Sequence, residues 1–115
     1  METRSFEFDK HQMCYTKTGA GPAVILLHGF GEDHRIFKST VAALEKKYTV
    51  YTPDLLGTGM SSINTFSSNF SIEYLADSIA AFIENEKIEN CTLLGHSMGG
   101  YVMSVSYTHL RAHET

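Results

Sequence analysis

Basic residues are scarce in this chain and nowhere clustered. Nine lysines and arginines face thirteen aspartates and glutamates, the formal net charge is -4, and Lys46-Lys47 is the only adjacent pair. No stripe of positive charge exists to neutralise phosphates, so nucleic acid is excluded as a partner. Cysteine is equally sparse: Cys14 and Cys91 stand far apart in apolar, strand-like stretches, with neither metal-ligand nor disulfide spacing, and both are expected to be free thiols. Long hydrophobic runs are also lacking. None approaches the roughly 20 residues of a spanning helix, and Met1 to Asp9 lacks the apolar core of a signal peptide, so the expectation is no membrane and a cytoplasmic location. What remains is 115 residues with 43% hydrophobic and 19% charged content, ordinary for one soluble globular domain.

The pattern of apolar residues divides the chain into elements. Residues 5–8 and 12–18 alternate roughly in polarity around an Asp9-Lys10-His11 turn, which predicts a hairpin. After the turn cluster Thr18 to Pro22, the unbroken run Ala23-Val24-Ile25-Leu26-Leu27 predicts a strand buried on both faces, as in a parallel sheet. Phe37, Val41 and Leu44 then mark one face of a covering helix between Asp33 and Lys47, with Lys38, Glu45 and Lys46 left in water. Tyr48 to Thr52 reads as a strand broken by Pro53-Asp54, and the polar piece from Gly57 to Asn69 as a surface loop. Ser71 is a good N-cap for a helix ending near Lys87, with Ile72, Leu75, Ala76, Ile79 and Ile83 on its apolar stripe. Residues 91–94 are the next strand. Strands alternating with helices of this length predict right-handed crossovers and a three-layer α/β sheet.

That last strand runs into Gly95-His96-Ser97-Met98-Gly99, the G-x-S-x-G spacing of a nucleophile elbow. A serine on a sharp strand-to-helix turn has strained backbone angles, and glycine at 95 and 99 removes the collisions that bulkier neighbours would cause. Three further patterns precede it in order: His28-Gly29-Phe30-Gly31 after the first buried strand, Pro53 to Ser61 after the second, and the capped helix. With these motifs, residues 5–104 resemble the N-terminal part of the α/β-hydrolase fold superfamily, in its serine-nucleophile, esterase-like branch. The resemblance implies a three-layer α/β/α fold with a mostly parallel sheet. It also implies that Ser97 is the nucleophile and that the backbone N–H groups of Phe30 and Met98 form the oxyanion hole, with His28, Gly29, Gly95 and Gly99 as structural parts of the motifs. The implied activity is hydrolysis of a small carboxylic ester or thioester through a Ser-His-Asp/Glu triad, with a small acyl compound as substrate and neither metal nor cofactor. An aspartate nucleophile, as in the branches resembling haloalkane dehalogenases and epoxide hydrolases, is absent at 97. Peptidases, carbon–carbon bond hydrolases and lyases of the serine branch share the same motifs, and so does a non-catalytic binding protein that kept only the elbow.

Other polar residues weigh differently. Gly57-Thr58-Gly59 lacks the third glycine of a dinucleotide loop and reads as a tight turn. Glu32, Asp33 and His34 could reach substrate, although a solvated helix start accounts for them as well. Phe66 and Phe70 could line a pocket mouth or pack beneath the loop. Asp54 sits after a strand, where active-site groups collect in open α/β sheets, yet the resemblance makes it a turn residue.

Only eighteen residues follow Ser97, and in the family the acid and the histidine lie far downstream. His109 and His113 fall where the elbow helix is expected still to run, which is poor geometry for a base. Residues 105–115, moreover, match codon by codon the translation of a transposase sequencing adapter. The expectation is therefore a truncated hydrolase domain over 1–104 with a non-native tail over 105–115, itself inactive for want of the base.

Overall fold

In the computed structural model of the chain, residues 1–29, 31–61, 71–96 and 99 are described. They form one five-stranded sheet with a helix on each face. β1 (Glu2–Phe8) and β2 (His11–Gly19) are the predicted hairpin, paired from Glu2↔Lys17 to Phe8↔His11. Asp9 and Lys10 turn it with φ of 48° and 68°, the double positive-φ geometry whose twist matches that of the flanking strands. β3 (Ala23–Leu27) and β4 (Thr49–Pro53) follow, then β5 (Cys91–Gly95). The order across the sheet is β1-β2-β4-β3-β5. β2 pairs antiparallel with both β1 and β4, whereas β3 pairs parallel with β4 and β5, so four strands point one way and β2 alone opposes them.

The expected covering helix is shorter than its apolar pattern. Asp33 caps a single 3₁₀ turn, His34–Phe37, by accepting the Arg35 N–H, and α1 then runs only over Lys38–Leu44. Phe37, Val41 and Leu44 do pack on one face of the sheet, against Val24, Leu26 and Val50. α2 (Ile72–Asn85) covers the opposite face, and the Ser71 hydroxyl caps it by accepting the Tyr74 N–H at 3.1 Å. Its buried stripe includes Phe82, a residue the sequence pattern did not single out; the ring meets Tyr15 edge-on at 4.7 Å and Tyr51 at 5.6 Å. Burying such a side chain contributes about 1.5–3 kcal/mol, which makes Phe82 a centre of the larger core. α2 closes in an αL turn: Lys87 has φ 57°, its N–H bonds the Glu84 carbonyl at 3.1 Å, and the Ile88 N–H bonds the Ile83 carbonyl at 3.0 Å.

At that end, Glu86 ties the helix to the hairpin. Its carboxylate accepts from the Arg4 guanidinium at 2.9 and 3.1 Å and from the Tyr15 hydroxyl, and Lys17 lies 3.7 Å away. Burial alone would raise its pKa, but the hydrogen bonds from Tyr15 and Arg4 outweigh it and hold Glu86 below the usual carboxylate range. No described helix is long and apolar enough to cross a membrane. Among the described residues both Cys14 and Cys91 are free thiols.

Candidate active site

The sheet order creates the site. From β3 the chain crosses through α1 to β4 on one side, then through α2 to β5 on the other, so the neighbours of β3 leave in opposite directions. Beyond the carboxyl ends of strands at such a switch point the connections diverge and leave a crevice, the usual ligand position in open α/β sheets. Three of the sequence-predicted patterns converge there. His28-Gly29 leaves β3, Asp54 leaves β4, and Gly95-His96 ends β5, with Gly95 in register with Leu27.

His28 is fully buried. Its Nε2 accepts the Leu55 N–H at 3.0 Å, with the Thr58 hydroxyl also 3.0 Å away, which puts the ring proton on Nδ1, 2.9 Å from the Gly29 carbonyl. A ring nitrogen occupied by a backbone donor has no lone pair to offer a serine hydroxyl. The imidazole instead fastens the turn after β4 to the end of β3.

Asp54 is buried just as completely. Oδ1 accepts the His34 N–H at 2.7 Å and faces His34 Nδ1 at 2.8 Å, while Oδ2 accepts the Met60 N–H at 2.9 Å. Its own backbone continues the fastening: the N–H donates to the Cys14 carbonyl at 2.9 Å, and the carbonyl accepts the Ser61 hydroxyl at 2.6 Å. A Cβ at Gly59 would overlap the Asp54 carboxylate, so this turn admits no side chain at that point. Within the predicted surface loop, Gly57, Gly59 and Met60 are exposed, while the Thr58 and Ser61 hydroxyls tie its described start to the Leu55 and Asp54 carbonyls. The carboxylates of Asp33 and Asp54 and the ring of His34 lie close enough to share a metal ion. Their atoms are nonetheless directed at N–H donors, Asp33 toward Arg35 and Asp54 toward His34 and Met60, so the cluster works as a set of ties.

The elbow strand docks on β3 through its backbone. The His96 N–H donates to the Leu27 carbonyl at 2.9 Å, and the Gly99 N–H turns back to the His96 carbonyl at 2.9 Å. At Gly99 a Cβ would overlap the carbonyl oxygens of Leu27 and His28. The glycine is thus required by a close backbone approach, which sets Gly99 against the end of β3. Glu32 bridges from the other side: one carboxylate oxygen accepts the Gly29 N–H at 2.6 Å and faces His96 Nδ1 at 3.0 Å. These hydrogen bonds, that of His96 first, hold Glu32 below the usual carboxylate range.

Ser97, Met98 and Phe30 lie outside the described residues, as do Phe66, Phe70 and the 105–115 tail. By sequence, Glu32, Asp33 and His34 could either reach substrate or form a solvated helix start. The structure separates them into a bridge, a cap and a partner for Asp54: His96 and Asp54, 64 and 20 positions away, set the first and third roles, and the neighbouring Arg35 sets the second.

Strand order, with a helix on each face of the sheet, defines a three-layer α/β protein. The sequence model of the alpha/beta hydrolase fold matches residues 22–107, and the chain belongs to that family. It is 38% identical over 86 residues to a pimeloyl-[acyl-carrier protein] methyl ester esterase of Aeromonas hydrophila, covering 75% of this chain and 32% of that protein. Among solved structures, a membrane phospholipase A described as a bacterial virulence factor superposes with a TM-score of 0.89 at 25% identity, over 96% of this chain and 36% of that one. An epoxide hydrolase from Vigna radiata gives 0.80 at 31% identity, over 89% and 33%. The chain therefore spans about a third of the length of each of these relatives.

Proposed function

We propose that this chain is the N-terminal part of a serine hydrolase, cytoplasmic and free of metal and cofactor, that cleaves a small carboxylic ester or thioester. The observation that carries the reading is the G-x-S-x-G spacing of residues 95–99 together with the close approach of Gly99 to the Leu27 and His28 carbonyls. The esterase relative supports the substrate class, and serine at 97 favours an acyl-enzyme over the alkyl-enzyme of an aspartate nucleophile.

In this reading Ser97 Oγ attacks the acyl carbon as a histidine takes its proton, and the carbonyl oxygen gains the negative charge. The N–H groups of Phe30 and Met98 stabilise that oxyanion; losing one such donor typically costs on the order of 10²–10³ in rate. The histidine returns the proton to the departing alcohol or thiol, and water then hydrolyses the acyl-enzyme. His28, His34 and His96 are committed to Leu55, Asp54 and Glu32 respectively. The acid and the base are assigned to the chain beyond residue 104, where the adapter-like tail begins.

A fluorophosphonate probe applied to the complete gene product tests this. Wild type should be labelled and Ser97→Ala should not, whereas a folded wild type that resists labelling makes the protein a non-catalytic member of the fold. Genomic sequence past codon 104 should continue in frame to an Asp or Glu and a late His.

A further inference from the structure

We propose that Glu32 is a positioning residue that clasps the oxyanion loop to the nucleophile elbow; this rests on the serine-hydrolase reading and deepens it. One atom, Glu32 Oε1, takes the Gly29 N–H at 2.6 Å and His96 Nδ1 at 3.0 Å. Gly29 immediately precedes Phe30, and His96 immediately precedes Ser97. The clasp therefore joins the residue before one proposed oxyanion donor to the residue before the proposed nucleophile.

The neighbouring bonds make Glu32 the adjustable part of an otherwise fixed frame. On the elbow side, His96 is anchored through its N–H to Leu27, and Gly99 is wedged against β3. On the loop side, the Glu32 N–H also bonds the Gly29 carbonyl at 3.2 Å. Without the Glu32 carboxylate, Gly29 and His96 lose the side-chain bridge that joins the loop to the elbow. Oxyanion stabilisation depends on donors already in place when charge develops, and a displacement of about 1 Å can cost about 10²-fold. The side chain is three-quarters buried and the bond from Gly29 is short, as expected when the acceptor is ionised. Glu32 touches neither substrate nor nucleophile in this account; it acts through Gly29 and His96.

The test compares Glu32→Ala, Glu32→Gln and Glu32→Asp in the complete gene product, reading kcat and KM on p-nitrophenyl acetate, the rate of fluorophosphonate labelling, and the thermal midpoint. Glutamine keeps a carbonyl oxygen able to accept both N–H groups, so its kcat should stay within about threefold of wild type. Alanine removes the acceptor, and aspartate, one methylene shorter, cannot span both partners. Each should lower kcat and the labelling rate by about ten- to a hundredfold with KM changed less than about threefold. Wild-type rates in Glu32→Ala would overturn the clasp alone, as would a glutamine variant that folds yet is as slow as alanine. If Glu32→Ala does not fold, Glu32→Asp and His96→Ala decide the matter by the same rates. A folded wild type that takes no label overturns the serine-hydrolase reading and the clasp with it.

Discussion

The backbone N–H of Leu55 points at Nε2 of His28 from 3.0 Å, joining the turn after β4 to the end of β3. The imidazole is fully buried and both of its nitrogens are occupied. His28→Ala should leave that N–H without an acceptor and open a cavity, lowering stability by about 2–4 kcal/mol. Urea denaturation with an unchanged m-value would establish this, and a loss under 1 kcal/mol would show that the tie is dispensable.

Asp54 makes a sharper prediction, because all three donors it faces point at a carboxylate of unchanged shape. Asp54→Asn should place an NH₂ against the Met60 N–H or against the His34 donors, at a cost of about 1–3 kcal/mol. Since the substitution is nearly isosteric, a shift in denaturation midpoint reports the hydrogen bonds and not the packing.

Gly99→Ala should push the elbow away from the Leu27 and His28 carbonyls. Overpacking of this kind costs about 1–3 kcal/mol, and fluorophosphonate labelling of the complete gene product should fall with it. A variant labelled at the wild-type rate would mean that the approach relaxes without moving Ser97.

Lys87 should be improvable. It holds an exposed αL position at the end of α2, where glycine has no Cβ penalty. Lys87→Gly is expected to raise stability by about 0.5–1 kcal/mol, seen as a higher thermal midpoint, because the native angles disfavour lysine more than glycine's extra unfolded-state entropy costs.

The Glu86 cluster predicts opposite trends at the two ends of the pH range. Glu86 is depressed in the folded state, so its contribution is complete above its unfolded value, about 4.3, and is lost as pH falls through the folded one. Tyr15 is raised, by burial first and then by Glu86, to about 12; its contribution is complete below the unfolded value near 10 and fades as pH rises toward 12. Glu86→Gln should flatten the acid limb of stability against pH, and an unaltered limb would assign that loss to other carboxylates.

Much of this was legible in the sequence, for reasons particular to each element. The run Ala23–Leu27 announced a strand covered on both faces, because only such a strand has no need of polar alternation. Ser71 and the Leu75-Ile79-Ile83 stripe located α2, since capping and helical period are local properties. Gly95 and Gly99 flagged the elbow because their spacing records a steric demand within five residues. The true extent of α1 was not legible: the apolar spacing of Phe37, Val41 and Leu44 is satisfied equally by a 3₁₀ turn followed by seven helical residues.

The sequence by itself determined the alternation of strands and helices, the motifs and hence the family. Only the tertiary structure decided what the polar residues between those elements do. Sheet order brought Glu32 to His96, Asp54 to His34 and His28 to Leu55, each across 20 or more residues of chain. Hydrogen-bond partners chosen at that range depend on which strand ends lie side by side, a property of sheet order that no local periodicity encodes.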